Sequence, residues 1–336
     1  MIDRRIRRAA GAGLLLSFCV LAAGAALAQV EGEPLPDGSF LRYGCGSDLK
    51  IRGGATLSLA SKSYHGITFV PDFGWTGDLF LARHDLQKGW THRAGEREYN
   101  AFCYTAVGTG LADPPGTDDL ILLSEKNAEA VYQLAMSSQP DFLIAHGLGA
   151  AFALKARCLD KLVADVLVFI DPLNPQDIGD RRELSYAEAR ARGENLEDRL
   201  WVEWGIGPKP GVEYEDSEIG REGFERLLER YEPDQPAYWA NSLTGFDGGL
   251  VVGSGVLLRG LSVLIVGTPG RDGEQRRRED DLIRWLRERE VWVDRLELAD
   301  LQLPGLSRLP MAGDHADLIL DKILDWGLQH MPVSTD

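Results

Sequence analysis

Apolar residues in this chain come as short continuous runs, not as an alternation of apolar and polar positions. Phe142-Leu143-Ile144-Ala145, Leu162 to Ile170 (LVADVLVFI) and Ser262 to Val266 are runs of this kind, as are Gly66 to Val70 and Tyr99 to Ala106 (YNAFCYTA). Runs of four to eight apolar residues predict strands buried on both faces, as in a parallel sheet covered by helices. Between them lie stretches with helical spacing. Ser124 to Ser137 places Ala128, Val131, Leu134 and Ala135 on one face, and Glu274 to Arg289 carries a stripe of Leu282, Ile283 and Leu286. Asp78 to Trp90 is expected to be a helix, and Asp317 to Gln329 a closing one. Val291 to Leu298 reads as the last strand. Strands alternating with helices predict an α/β fold with a mostly parallel sheet.

Two regions break that rhythm. In Phe40 to Ser61, Leu49-Lys50-Ile51 and Thr56-Leu57-Ser58-Leu59 flank Gly53-Gly54, which predicts an antiparallel hairpin at a sheet edge. Residues 173–259 are acidic and rich in aromatics, including Trp201, Trp204, Tyr214, Tyr231, Tyr238 and Trp239. They read as an inserted cap with a helix around Arg221 to Tyr231, its aromatics serving mainly as cap core. The expected organisation is a leader over 1–28, a first core part over 29–172, the cap over 173–259 and a second core part over 260–330.

The leader reading rests on Arg4, Arg5, Arg7 and Arg8, an apolar run from Gly11 to Ala25, and Ala26-Leu27-Ala28 as an A-x-A cleavage signal. A secretory signal cut after Ala28 predicts a periplasmic or secreted protein with no stable membrane span. The alternative, a retained anchor, calls for a longer apolar run. The whole chain has 36 basic and 52 acidic residues; cleavage removes four arginines and one aspartate, leaving 32 against 51 and a net charge of −19. So acidic a surface repels nucleic acid and anionic membranes. Of the cysteines left, Cys45, Cys103 and Cys158, the last two are expected as buried free thiols, and export also permits one disulfide whose pairing stays open. No C-x-x-C or paired-His spacing points to a metal, and no cofactor is expected.

The chemistry converges on residues 141–156, DFLIAHGLGAAFALKA. Strand, glycine-bearing turn and helix is the layout of a nucleophile elbow, where G-x-S-x-G holds a serine exposed on a strained bend. Here the serine position is Gly147 and the leading glycine is Ala145. Acyl transfer through a covalent intermediate needs an oxygen, sulfur or carboxylate at that position, and Gly147 supplies none. Glycine accepts a positive φ without steric cost, so it relieves the strain of the bend. The neighbouring His146 is expected to point into the core.

Five segments in order resemble the α/β-hydrolase superfamily. FVPDFGWT (69–76) is similar to the strand and oxyanion-hole loop, and AVGTGLADPP (106–115) to the loop after the next strand. LIAHGLGAAFAL (143–154) resembles the elbow, LIVGTPGRD (264–272) the strand and loop of the catalytic acid, and GDHAD (313–317) the loop of the catalytic histidine. The resemblance implies an α/β-hydrolase sheet with helices on both faces and an inserted cap. It implies His315 as base and Asp272 as its acid, with Asp171 as rival. It implies the backbone N–H of Leu148, with one from Phe73 or nearby, as oxyanion donors. Asp72 is out of place there, because a carboxylate beside the hole repels a developing oxyanion unless it points away.

The expected function is therefore an exported hydrolase-like protein without serine-hydrolase activity, binding a small-molecule or protein ligand through the old pocket or its cap. One alternative is an enzyme using His315 and Asp272 as a general base with no covalent intermediate. Another is an envelope scaffold whose acidic surface and cap form a protein interface.

Overall fold

The computed structural model describes residues 41–45, 55–59, 65–72, 75–106, 120–175, 177–178, 222–223, 250–269, 271, 273–304, 306 and 309–331. Of 41–45, 55–59, 120–123 and 274, only the backbone is described. Among the described residues, eight strands form one sheet: β1 (Leu41–Cys45), β2 (Ala55–Leu59), β3 (Gly66–Val70), β4 (Asn100–Thr105), β5 (Phe142–His146), β6 (Val166–Ile170), β7 (Ser262–Gly267) and β8 (Trp292–Glu297). Their spatial order is β1-β2-β4-β3-β5-β6-β7-β8. From β4 to β8 every neighbouring pair is parallel, while β1–β2 and β2–β4 are antiparallel.

Among the described residues, five α-helices with both ends in view connect or flank the strands: α1 (Trp90–Glu96), α2 (Leu120–Ser138), α3 (Leu148–Leu159), α4 (Gly273–Arg287) and α5 (Ala316–His330). The two-residue period of a strand sorts its side chains between two cores. Leu143 and Ala145 of β5, Leu167 and Phe169 of β6, and Val263 and Ile265 of β7 pack with α2, α3 and α4. Phe142, Ile144, Val166, Val168, Ile170, Leu264 and Val266 face the other way, onto α1 and α5. Both faces are covered, so β5 and β6 are buried along their whole length, as their continuous apolar runs require.

The edge hairpin is present, but its first strand is Leu41–Cys45, paired from Leu41↔Leu59 to Cys45↔Ala55. Leu49 to Ile51, expected in that role, lies outside the described residues. The helix expected over Asp78 to Trp90 is not there. Gly77–Phe80 makes one 3-10 turn, and the helix starts only at Trp90. Between them the chain doubles back: Arg83 N–H donates to Gln87 O (2.9 Å) and Gly89 N–H to Leu81 O (2.8 Å), with Leu86 at φ 65°. A Cβ on Gly89 would stand 2.7 Å from Phe80 O, so the return depends on that glycine. The buried Leu79 and Phe80 mimic a helical stripe although they belong to a single 3-10 turn, after which the chain folds back.

Residues 173–259 enter between β6 and β7, where the cap was expected. The entry and exit of this insertion are stapled: the Asp177 carboxylate accepts from Val252 N–H (3.0 Å) and Gly253 N–H (2.8 Å). The six aromatics singled out above lie outside the described residues, as do residues 1–28. Within the expected cap helix, Glu222 and Gly223 are helical, and Gly223 lies against the His84 ring. No described helix is long and apolar enough to cross a membrane.

Candidate functional site

The parallel strands end on one side of the sheet, where a fold of this kind places its ligands. The end of β3 leads to Asp72, that of β5 to Gly147, that of β6 to Asp171 and that of β7 to Thr268. Gly147 sits at φ 54°, ψ −125°, a bend that is strained for any residue with a Cβ. Its N–H donates to Ile170 O (3.0 Å), and its carbonyl accepts from Ala150 N–H and Leu173 N–H (both 3.1 Å). The elbow geometry is thus intact, pinned to β6 and to the start of the insertion. Helix α3 approaches the sheet closely, because a Cβ on Gly149 would stand 2.4 Å from Pro71 O and 2.8 Å from Val70 O. His146 is buried, as expected of an elbow neighbour.

Asp72 does not point away. Its carboxylate, 1% exposed as a residue, accepts the Leu148 N–H at Oδ1 (2.7 Å). That N–H, expected as an oxyanion donor, is already occupied by a carboxyl oxygen belonging to the chain. The same carboxylate covers Gly147: an ideal Cβ there would stand 2.1 Å from both Cγ and Oδ2 of Asp72. The missing side chain and the unexpected acid are one rearrangement, in which a carboxylate from the loop after β3 fills the space of an elbow side chain. A hydrogen bond to a charged acceptor contributes ~1.5–3 kcal/mol. The positive end of α3 adds up to ~2 kcal/mol. Together they are of the same order as the several kcal/mol that burying a carboxylate costs.

Asp171, the rival acid, holds the loop after β7. Its carboxylate accepts the Thr268 N–H (3.0 Å) and the Thr268 hydroxyl, and its own φ is 42°. The same loop is fixed by Arg271, whose buried guanidinium pairs with Glu279 on α4 and Glu297 at the end of β8. Arg271 Nε–H also donates to Thr268 O (2.8 Å). Burial opposes charge on this guanidinium, but the pair with Glu279 overrides it and raises the arginine above its ordinary value. Asp272 follows directly in the chain and, like Phe73, lies outside the described residues.

His315 immediately precedes α5 and is half-buried, with its carbonyl accepting the Ile319 N–H (3.0 Å). Its loop is held by a clamp that sequence reasoning missed. Arg83 donates to the Asp314 carboxylate (3.0 Å) and carbonyl (3.3 Å). His84 donates through its backbone N–H (3.0 Å) and ring Nδ1–H (2.8 Å) to Ala312 O. Trp90 Nε1–H donates to Ala316 O (2.7 Å). These contacts span more than 220 positions, so no local pattern announces them. The placement of Asp72 likewise depends on the room left by Gly147, which only the folded chain brings beside it.

No family model matches the sequence, and no curated protein matches it either. Solved structures do. A bacterial esterase aligns at 12% identity, covering 83% of this chain and 86% of its own, with a TM-score of 0.51. An epoxide hydrolase aligns at 11% identity over 86% of this chain and 98% of its own, with a TM-score of 0.52. A thermophilic esterase aligns at 11% identity over 85% and 98%, with a TM-score of 0.53. Identities this low speak to architecture and not to reaction. With the strand order, the elbow and the two helical layers, they show that this chain has the α/β-hydrolase fold.

Proposed function

We propose that this is an exported hydrolase-fold protein that does not perform serine-type acyl transfer and that uses the space above its elbow to bind a ligand or partner. The observation that carries the reading is the Asp72 carboxylate seated on the Leu148 N–H and over Gly147. An ester carbonyl entering this site meets no nucleophile at residue 147. Its oxygen meets a carboxylate where a donor would be needed, which raises the barrier of acyl transfer. Export rests on the leader sequence of residues 1–28.

The test uses the mature protein with short- and long-chain acyl esters and a fluorophosphonate probe. The expected result is no labelling and turnover far below that of a serine esterase. Esterase-like turnover that disappears in His315→Ala would remove the proposal.

A further inference from the structure

The sheet ends in β8, and no strand pairs with its outer edge among the described residues. Trp292 N–H donates to Leu261 O (2.9 Å), so Trp292, Asp294 and Leu296 turn their backbone groups to β7. The alternation of a parallel ladder then turns those of Val293 and Arg295 outward, where the Arg287 guanidinium reaches Val293 O (3.3 Å). Side chains alternate as well. Val293 packs with the α2, α3 and α4 core and Leu296 with that of α1 and α5. Trp292 and Asp294 share the Leu296 face, and Trp292 is 60% exposed. The Asp294 side chain is 42% exposed, and its contacts all fall on Oδ2, from Trp326 Nε1–H (2.8 Å), Trp292 Nε1–H (3.3 Å) and His330 Nε2 (3.5 Å). The His330 ring stacks on Trp326 (4.4 Å between centroids) and gives its Nδ1–H to Trp326 O (2.7 Å). The exposed indole of Trp292 is thus held beside a carboxylate whose Oδ1 is open to solvent.

We propose that β8 receives an extended basic segment of a partner protein, which pairs with the open edge and lays an arginine on the Trp292 ring and Asp294. The proposal stands apart from the elbow reading. Strand addition draws affinity from main-chain hydrogen bonds and specificity from alternate side chains. A guanidinium stacks on an indole and donates to a carboxylate at once, which a neutral amide does not. The excess of 52 acidic over 36 basic residues draws such a segment in. Arg295 does not oppose it, because that side chain belongs to the other face and pairs with Asp280 (2.5 Å). A second copy fits the edge poorly. Two-fold antiparallel pairing about the middle of β8 sets Asp294 opposite Asp294 or Arg295 opposite Arg295, and like charges there destabilise.

The experiment measures binding of three blocked peptides to the mature protein by calorimetry. They are Thr-Val-Thr-Arg-Thr-Val-Thr, the same peptide with glutamine for arginine, and the arginine peptide with its backbone nitrogens methylated. The first is expected to bind at least tenfold more tightly than either of the others. Asp294→Asn, which keeps an acceptor for both indoles, and Trp292→Ala are each expected to erase the preference for arginine over glutamine. No binding by the arginine peptide at millimolar concentration overturns the proposal, as does equal binding of the arginine and glutamine peptides. So does an arginine preference that survives in Asp294→Asn, because it then belongs to the general acidic surface. Undiminished binding of the methylated peptide, which cannot pair with a strand, overturns it too. A dimer in sedimentation that Trp292→Ala dissociates gives the edge to a second copy, with the same consequence. None of these outcomes bears on the elbow, whose test is fluorophosphonate labelling.

Discussion

Asp72 and Gly147 claim the same volume. A Cβ at residue 147 would lie 2.1 Å from Asp72 Cγ, far inside contact distance, and the two residues sit 75 positions apart, just past the ends of β3 and β5. Gly147→Ser alone therefore lowers stability, through overpacking of ~1–3 kcal/mol and bend strain of ~1–3 kcal/mol. The single variant gains no fluorophosphonate label, because the carboxylate crowds its hydroxyl. Asp72→Ala in the same chain is expected to recover much of the loss and to permit labelling. Thermal melts and gel labelling of the two single variants and the double variant check the coupling.

Gly149 and Gly273 separate crowding from helix propensity. A Cβ on Gly149 meets the backbone oxygens of Pro71 and Val70, whereas one on Gly273 meets nothing within 4 Å. Gly149→Ala is expected to cost ~1–3 kcal/mol, since backbone cannot move aside cheaply. Gly273→Ala is expected to be neutral or to stabilise by up to ~1 kcal/mol. Denaturant midpoints distinguish the two.

Arg271 and Glu279 are each about 1% exposed at their side chains and pair deep beneath the loop after β7. Arg271→Leu leaves Glu279 buried and uncompensated, with an expected loss of ~3–5 kcal/mol. Adding Glu279→Leu is expected to return most of it, because an apolar pair needs no desolvation. Urea melts of the single and double variants test this.

Burial pushes the Cys103 thiol up to about 12 and the Cys158 thiol up to about 11, and both are free. Only the thiolate reacts, so at about pH 7.5 iodoacetamide is expected to modify neither at an appreciable rate in the folded protein. As pH rises, Cys158 is expected to react before Cys103. In the unfolded chain these thiols ionise near their ordinary value of about 8.5, so the folded state holds more protons above it. Stability from these groups is thus complete below about pH 8 and falls as the solution becomes more alkaline. Peptide mapping after timed alkylation, and melts across the same range, read the two effects.

The sheet was legible because its central strands are apolar on both faces: FLIAH, VLVFI and SVLIVG have one environment available to them. The elbow was legible because a strand, a glycine turn and an alanine-rich helix are contiguous in sequence. The segment from Asp78 to Trp90 was misread because Leu79 and Phe80 are buried by a loop that folds back through Gly89, and burial alone does not distinguish that from a helix. The direction of Asp72 lay beyond reach for a different reason. Its presence was visible and its conflict with an oxyanion was foreseen, but its orientation depends on the room left by Gly147 just past the end of another strand. The same holds for the Arg83, His84 and Trp90 clamp on the His315 loop, which joins residues that only the finished sheet brings together.

The staple formed by Asp177 gives the insertion a neck. One carboxylate holds residue 177 against residues 252 and 253, so the chain leaves and re-enters the described core at adjacent points. Loop-closure entropy grows only slowly with length, so the segment can lengthen, shorten or change composition at small cost to the core. The neck is in that sense a socket: a segment of another length can be fitted between residues 177 and 252 without rebuilding the strands on either side of it.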